Sequence, residues 1–128
     1  MRNFMSAITH VTAEVDRLLT WLWSSPHANN TMVVLYSDHG YHSGDRWRWH
    51  KFTIYEESAR APLVVYVPGQ AAKTINAPVS HMDIGPTTLD YAGLSPMDHC
   101  PGISLRPYLH RGECHPRPLG ANILVWVG

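Results

Sequence analysis

Between Asp38 and Lys51 the sequence reads DHGYHSGDRWRWHK, a run that holds carboxylate, imidazole, guanidinium and ammonium groups with two tryptophans among them. Asp38 offers two hard oxygens to a cation and His39 an imidazole nitrogen, while Gly40 lets the backbone turn sharply away from them. A carboxylate beside an imidazole is half of a metal site. On the four residues SDHG alone the plainer interpretation stands first: Asp38 caps a loop and His39 is an ordinary polar residue. A second group, His99, Cys100, His110, Cys114 and His115, suggests zinc, but its spacing matches none of the paired-ligand patterns that mark such sites. Cys100 and Cys114 fit either a disulfide or two free thiols, so they do not fix a compartment.

The elements around this run must position it. Residues 31–37, TMVVLYS, form a short, continuous apolar run rich in β-branched side chains, which predicts a strand covered on both faces. Asp38 falls where that strand ends, and open α/β sheets bind ligands beyond the carboxyl ends of their strands. PLVVYVPG, residues 62–69, repeats the strand signature and ends on a Pro-Gly turn. Ahead of both, Phe4, Ile8, Val11, Val15, Leu18 and Leu22 recur at helical spacing, with Thr9, Thr12, Asp16 and Thr20 on the other side. That helix should stop near Ser24, where Ser24, Ser25 and Pro26 remove helix propensity. Helix, strand, long loop and strand predict an α/β fold with a mostly parallel sheet and flanking helices.

Farther on, KTINAPVS suits an edge or connecting strand, because Pro78 cannot donate to a central ladder. Asp83 reads as the N-cap of a short helix closed by Gly93. Residues 95–118 carry five prolines and predict loop, apart from a turn at SLRPYL. ANILVWVG at the end is strand-like, with no partner evident in sequence. His81 is expected in a hydrogen-bonded structural role. The 128 residues suit one domain, and 10 basic against 10 acidic side chains leave no field for nucleic acid. No apolar run approaches the roughly 20 residues of a membrane span, and MRNFMSAITH lacks a signal-peptide core. Neither a span nor a leader is expected, and localisation stays open.

SDHGYHSGDRWRWHKFTIYEESARAPLVVYVPG, then VSHMDIGPTTLDYAGL and PGISLRPYL, closely resemble the C-terminal part of the catalytic domain of the type I sulfatases. These are metal-dependent ester hydrolases of the alkaline phosphatase-like superfamily. The resemblance implies a partial alkaline phosphatase-like fold over residues 1–128, with the metal-loop element at about 31–69. It implies that Asp38 and His39 ligate a divalent cation, usually calcium, with manganese or zinc as alternatives because imidazole suits them better. It implies that Lys51 contacts the sulfate oxygens and that Glu56, Glu57 and Arg60 hold the loop against the sheet.

A sulfate monoester is an anion, so its hydrolysis needs a cation on its oxygens and fixed positive charge where negative charge develops. Arg46, Trp47, Trp49, His42 and His50 are candidates for the substrate entrance, with the arginines meeting anionic groups. Arg46, Trp47, Arg48 and Trp49 are read equally well as packing the loop onto the sheet. His50 and Ser43 stand where the family usually has a small residue and Leu.

The family's nucleophile, a formylglycine made in a Cys-x-Pro-x-Arg type motif, has no counterpart in this sequence. CHPRP at Cys114 has its Arg one position early and follows the metal loop instead of preceding it. The resemblance therefore implies a sulfuric ester hydrolase of which this chain carries one portion of the active site. A phosphate or phosphonate ester hydrolase and an inactive binding module are the alternatives. One helix for two buried strands leaves apolar sheet surface and an edge open, so self-association or assembly with a partner is expected.

Overall fold

The computed structural model describes residues 2–75, 77–111 and 124–127. Helix α1 spans Arg2–Ser24. It ends where Ser24 and Ser25 turn their hydroxyls back onto the carbonyls of Trp21 and Leu22, at 2.9 and 2.7 Å, in place of continuing the ladder. Four strands follow in one sheet: β1 (Val33–Tyr36), and, after the site region, β4 (Pro62–Tyr66), β5 (Lys73–Ile75) and β6 (Leu124–Val127). Between β1 and β4 lie the two-residue strands β2 (His42–Ser43) and β3 (Trp49–His50), paired as a separate ribbon, and the single-turn helix α2 (Glu56–Ala59). Helices α3 (Ile84–Tyr91) and α4 (Arg106–Arg111) follow, the latter lying where only a turn at SLRPYL was expected.

The sheet runs in the order β1-β4-β6-β5. Its pairings depart from the mostly parallel expectation. β1 meets β4 antiparallel with Val34 opposite Val65, β5 meets β6 antiparallel, and β4 and β6 run parallel. The reason lies in the connection. Parallel neighbours in sequence need a crossover, usually a helix laid on the sheet, and the segment from Tyr36 to Pro62 offers only a ribbon and one helical turn. β6 finds partners on both sides, which its sequence alone did not reveal.

Leu63 and Val65 of β4 point to one face of the sheet and pack with Val79, Leu105, Tyr108 and Leu109 into the core, with Ile84 and Tyr91 of α3 at its margin. The other face carries less. There Trp23 of α1 meets Tyr66 edge-on at 4.8 Å. The expectation of strands covered on both faces fails at β1, where Leu35 and Tyr36 are exposed. α1 keeps Leu22 buried and stacks Phe4 on Tyr41, but leaves Ile8, Val11 and Leu18 exposed along its apolar stripe.

Asp83 ties the second half together. Fully buried, it accepts the Ser80 N–H at 2.8 Å in a capping box and the Ile103 N–H at 2.9 Å. Its carbonyl takes the Thr87 hydroxyl, whose oxygen in turn accepts the Leu105 N–H at 2.8 Å. The segment leading into α4 is thereby held on the start of α3. Asp83→Ala strips partners from two N–H groups, and we predict a loss of about 3 kcal/mol. A lower denaturant midpoint at unchanged slope checks it; an unchanged midpoint contradicts it.

Candidate functional site

β1 runs out at Tyr36 and the next four residues are pinned by backbone and side-chain bonds. The Ser37 N–H reaches the Pro62 carbonyl at 3.2 Å, and the Ser37 hydroxyl reaches the His39 carbonyl at 2.8 Å. His81 Nε2 donates to the Ser37 carbonyl at 2.6 Å, the structural role its position suggested. The Gly40 N–H then donates to the Ser58 carbonyl of α2 at 2.8 Å. Gly40 is required by close approach: a Cβ there would overlap the Glu57 carbonyl oxygen and stand 2.8 Å from that of Arg60.

So held, Asp38 and His39 face Lys51. Lys51 Nζ lies 2.5 Å from His39 Nε2, and Asp38 Oδ2 lies 3.3 Å from the same nitrogen. An ammonium only donates, so Nε2 accepts and the ring proton sits on Nδ1, which donates to the Gly40 carbonyl at 2.8 Å. The imidazole lone pair is thus turned toward the carboxylate and the ammonium. Asp38 and Lys51 are exposed and His39 is partly so. One carboxylate and one imidazole suit a divalent cation as part of a coordination shell, the cation taking the place that the Lys51 ammonium proton occupies on Nε2 here. No group of three or more His, Cys, Asp or Glu side chains placed to hold a metal occurs among the described residues.

The other sequence candidates separate. His42 is not at the mouth. It is fully buried, with Nε2 against Thr53 Oγ1 at 2.7 Å and its ring edge-on to Tyr55, so it binds the ribbon to the segment after Lys51. Arg46 lies 4.8 Å over the Tyr55 ring and its Nε donates to Glu57 Oε1 at 3.3 Å. Glu57 therefore does hold the loop, whereas Glu56 and Arg60 are exposed and are joined through the Arg60 N–H on the Glu56 carbonyl. His50 meets the Tyr41 hydroxyl at 3.3 Å, and Tyr41 stacks on Phe4 of α1. Trp49 is exposed and Trp47 almost wholly so, at 98%. Arg46, Trp47 and His50 all adopt left-handed backbone angles, a conformation that costs non-glycine residues energy.

Two residues that sequence reasoning missed are structural keystones here. Thr53 donates its N–H to the Lys51 carbonyl at 2.9 Å, and Ser58 donates its hydroxyl to that same carbonyl. Nothing distinguishes a small polar residue in FTIYEES from a solvated one until the fold buries it. A separate concavity, about 510 Å³, is lined by Asp90, Arg106, Pro107 and His110, away from these residues. Arg106 is there already neutralised by Asp90 at 2.9 Å. The zinc and disulfide ideas involve Cys114 and His115, which lie outside the described residues.

The Glu57 carboxyl is held below its ordinary value, chiefly by a hydrogen bond from its own backbone N–H and further by the Arg46 guanidinium. A lowered folded value means stabilisation that is complete above the ordinary 4.5 and lost as pH falls through the folded value. We predict that Glu57→Gln flattens the fall of the thermal midpoint below pH 4.5. An acid-side slope identical to that of the unaltered chain contradicts it.

Comparison with known proteins adds to this geometry. Residues 1–94 match the family model described as Sulfatase. A protein named Sulfatase from Formosa agariphila is 38% identical over 95 residues, covering 73% of this chain and 19% of that protein. An N-acetylglucosamine-6-O-sulfatase from Bacteroides thetaiotaomicron is 33% identical over 111 residues, covering 85% of this chain and 20% of its own length. A choline-sulfatase from Rhizobium meliloti is 33% identical over 115 residues, covering 88% and 22%. Among solved structures, a protein in complex with its substrate D-glucosamine-2-N,6-O-disulfate superposes with a TM-score of 0.70 at 28% identity, over 87% of this chain and 23% of that one. The chain spans about a fifth of the length of these curated relatives.

Proposed function

The chain belongs to the sulfatase family, and on that premise we propose that it forms the C-terminal part of a sulfatase catalytic domain whose complete protein hydrolyses sulfuric esters. The observation that carries the reading is the meeting of Asp38, His39 and Lys51 around one imidazole nitrogen, from two loops bound to the same helix α2. Asp38 and His39 would hold a divalent cation, calcium by the family's usage. Once bound, the cation supplies polarisation of the ester oxygens. Lys51 places an ammonium where an anionic ester docks and where negative charge grows on its oxygens. The family's formylglycine nucleophile has no motif in this sequence, so attack on sulfur belongs to the complete protein. Trp47, Trp49, Arg46 and His50 stand on the same ribbon as Lys51, and their exposed rings and guanidinium suit the faces and anionic groups of a carbohydrate sulfate or a small sulfate ester.

The phosphate or phosphonate reading draws on His39 alone, because an imidazole donor favours manganese or zinc over calcium. Both readings are decided by one set of assays. In the full-length protein, Asp38→Ala and Lys51→Ala should each lower kcat/KM for an aryl sulfate by about 10² to 10³. Full activity in either variant contradicts the assignment, and faster turnover of the matching phosphate ester with manganese favours the second reading.

Support for an incomplete domain comes from surface left open. The outer edge of β1 pairs with no described strand, Leu35 and Tyr36 beside it are exposed, and so is the stripe of α1. His42 Nδ1 and Glu57 Oε2 are buried and make no hydrogen bond among the described residues. In the complete domain we place further strands beyond β1, extending the sheet in the family's mostly parallel arrangement. Alone, the chain should self-associate through this surface. Sedimentation should show oligomers that dissociate when Ile8, Val11 and Leu18 are replaced by Ser, whereas a sharp monomer with cooperative unfolding contradicts the expectation.

A further inference from the structure

We propose that Ser58 is the positioning residue for Lys51, and that it fixes the ammonium relative to the Asp38–His39 pair through one contact on each side. The proposal rests on the reading of Lys51 as the anion contact. Ser58 sits inside the single turn of α2 and is only 3% exposed, although its neighbours Glu56 and Ala59 are exposed. Its carbonyl accepts the Gly40 N–H at 2.8 Å, one residue beyond His39. Its hydroxyl donates to the Lys51 carbonyl, which also accepts the Thr53 N–H at 2.9 Å. A single residue is thereby bonded to both loops, and each bond falls at or next to a site residue.

The chemistry of the two bonds differs in a useful way. The link to Gly40 is backbone and survives any side-chain change, while the link to Lys51 is the hydroxyl and nothing else. Lys51 itself lies in a segment with little regular structure: it follows β3, His50 before it has left-handed backbone angles, and Phe52 and Ile54 after it are almost fully exposed. Without the hydroxyl, its carbonyl keeps only the local bond from Thr53, two residues away, which does not refer it to α2. A long, flexible ammonium-bearing side chain contributes to anion binding only when its root is fixed, because otherwise ordering it offsets the gain.

The test uses the full-length protein with inorganic sulfate as the probe, measured by calorimetry, and amide hydrogen exchange at Gly40 as the control. Ser58→Ala should weaken sulfate binding about tenfold, a difference of about 1.4 kcal/mol that reflects the added cost of ordering Lys51 on binding, while protection of the Gly40 amide stays unchanged. Lys51→Ala should abolish binding. If Ser58→Ala binds sulfate as the unaltered protein does while Lys51→Ala fails to bind, the positioning role is overturned and the reading of Lys51 stands. If Ser58→Ala loses sulfate binding and Gly40 protection together, Ser58 merely supports the fold and the proposal is likewise overturned. Equal binding, or none, in the unaltered protein and in Lys51→Ala overturns the reading of Lys51 and the role of Ser58 with it.

Discussion

The site depends on how closely Gly40 approaches the backbone of α2. Its N–H meets the Ser58 carbonyl at 2.8 Å, and any side chain at that position would run into the carbonyls of Glu57 and Arg60. Because the loop after β1 is seated there, Asp38 and His39 point at the segment that follows β3 and not into solvent at random. The strand fixes one end of the loop through Ser37 on Pro62 and His81 on Ser37, and α2 fixes the other. Four residues held at both ends have little freedom left, which is the condition for two donors and an ammonium to converge without a rigid core beneath them.

The same geometry explains why so much of the polar run is structural. His42 is spent on Thr53, while Arg46 also rests on Glu57 and Tyr55 and His50 on Tyr41, each keeping an exposed side. These contacts keep a ribbon of only two residue pairs folded over the site, since a ribbon that short has too few ladder bonds to stand alone. Three residues in left-handed geometry within five positions show the local cost. The charged pairs that remain exposed, such as Arg17 with Glu14 on α1, contribute little by comparison.

How much of this was legible in the sequence follows from what each signal measures. Periodicity located α1, β1, β4 and α3 to within a few residues, because burial on one face writes itself directly into residue spacing. Strand direction was not legible: it depends on whether a connection crosses over the sheet, and a long loop without a strong helix looks the same either way. The partners of β6 are remote in sequence and leave no local mark. Asp38 and His39 were legible as half of a metal site from their residue types at a strand end, Lys51 came from resemblance, and the structure brings all three together. His42 was misplaced because a histidine between Tyr and Ser looks solvated, and only Thr53, distant along the chain, accounts for its burial. Ser58 was silent for the same reason, since the one feature that singles it out is a fold that buries it between two loops.

The most direct measurement is a map of amide chemical shifts as calcium and then sulfate are added to the isotope-labelled full-length protein. We predict that calcium moves Asp38, His39 and Gly40, and that sulfate then moves Lys51, Phe52 and Thr53, with the residues around Asp90 and Arg106 unmoved. Shifts confined to the concavity of Asp90, Arg106 and His110, or none at all in residues 38–53, would contradict it.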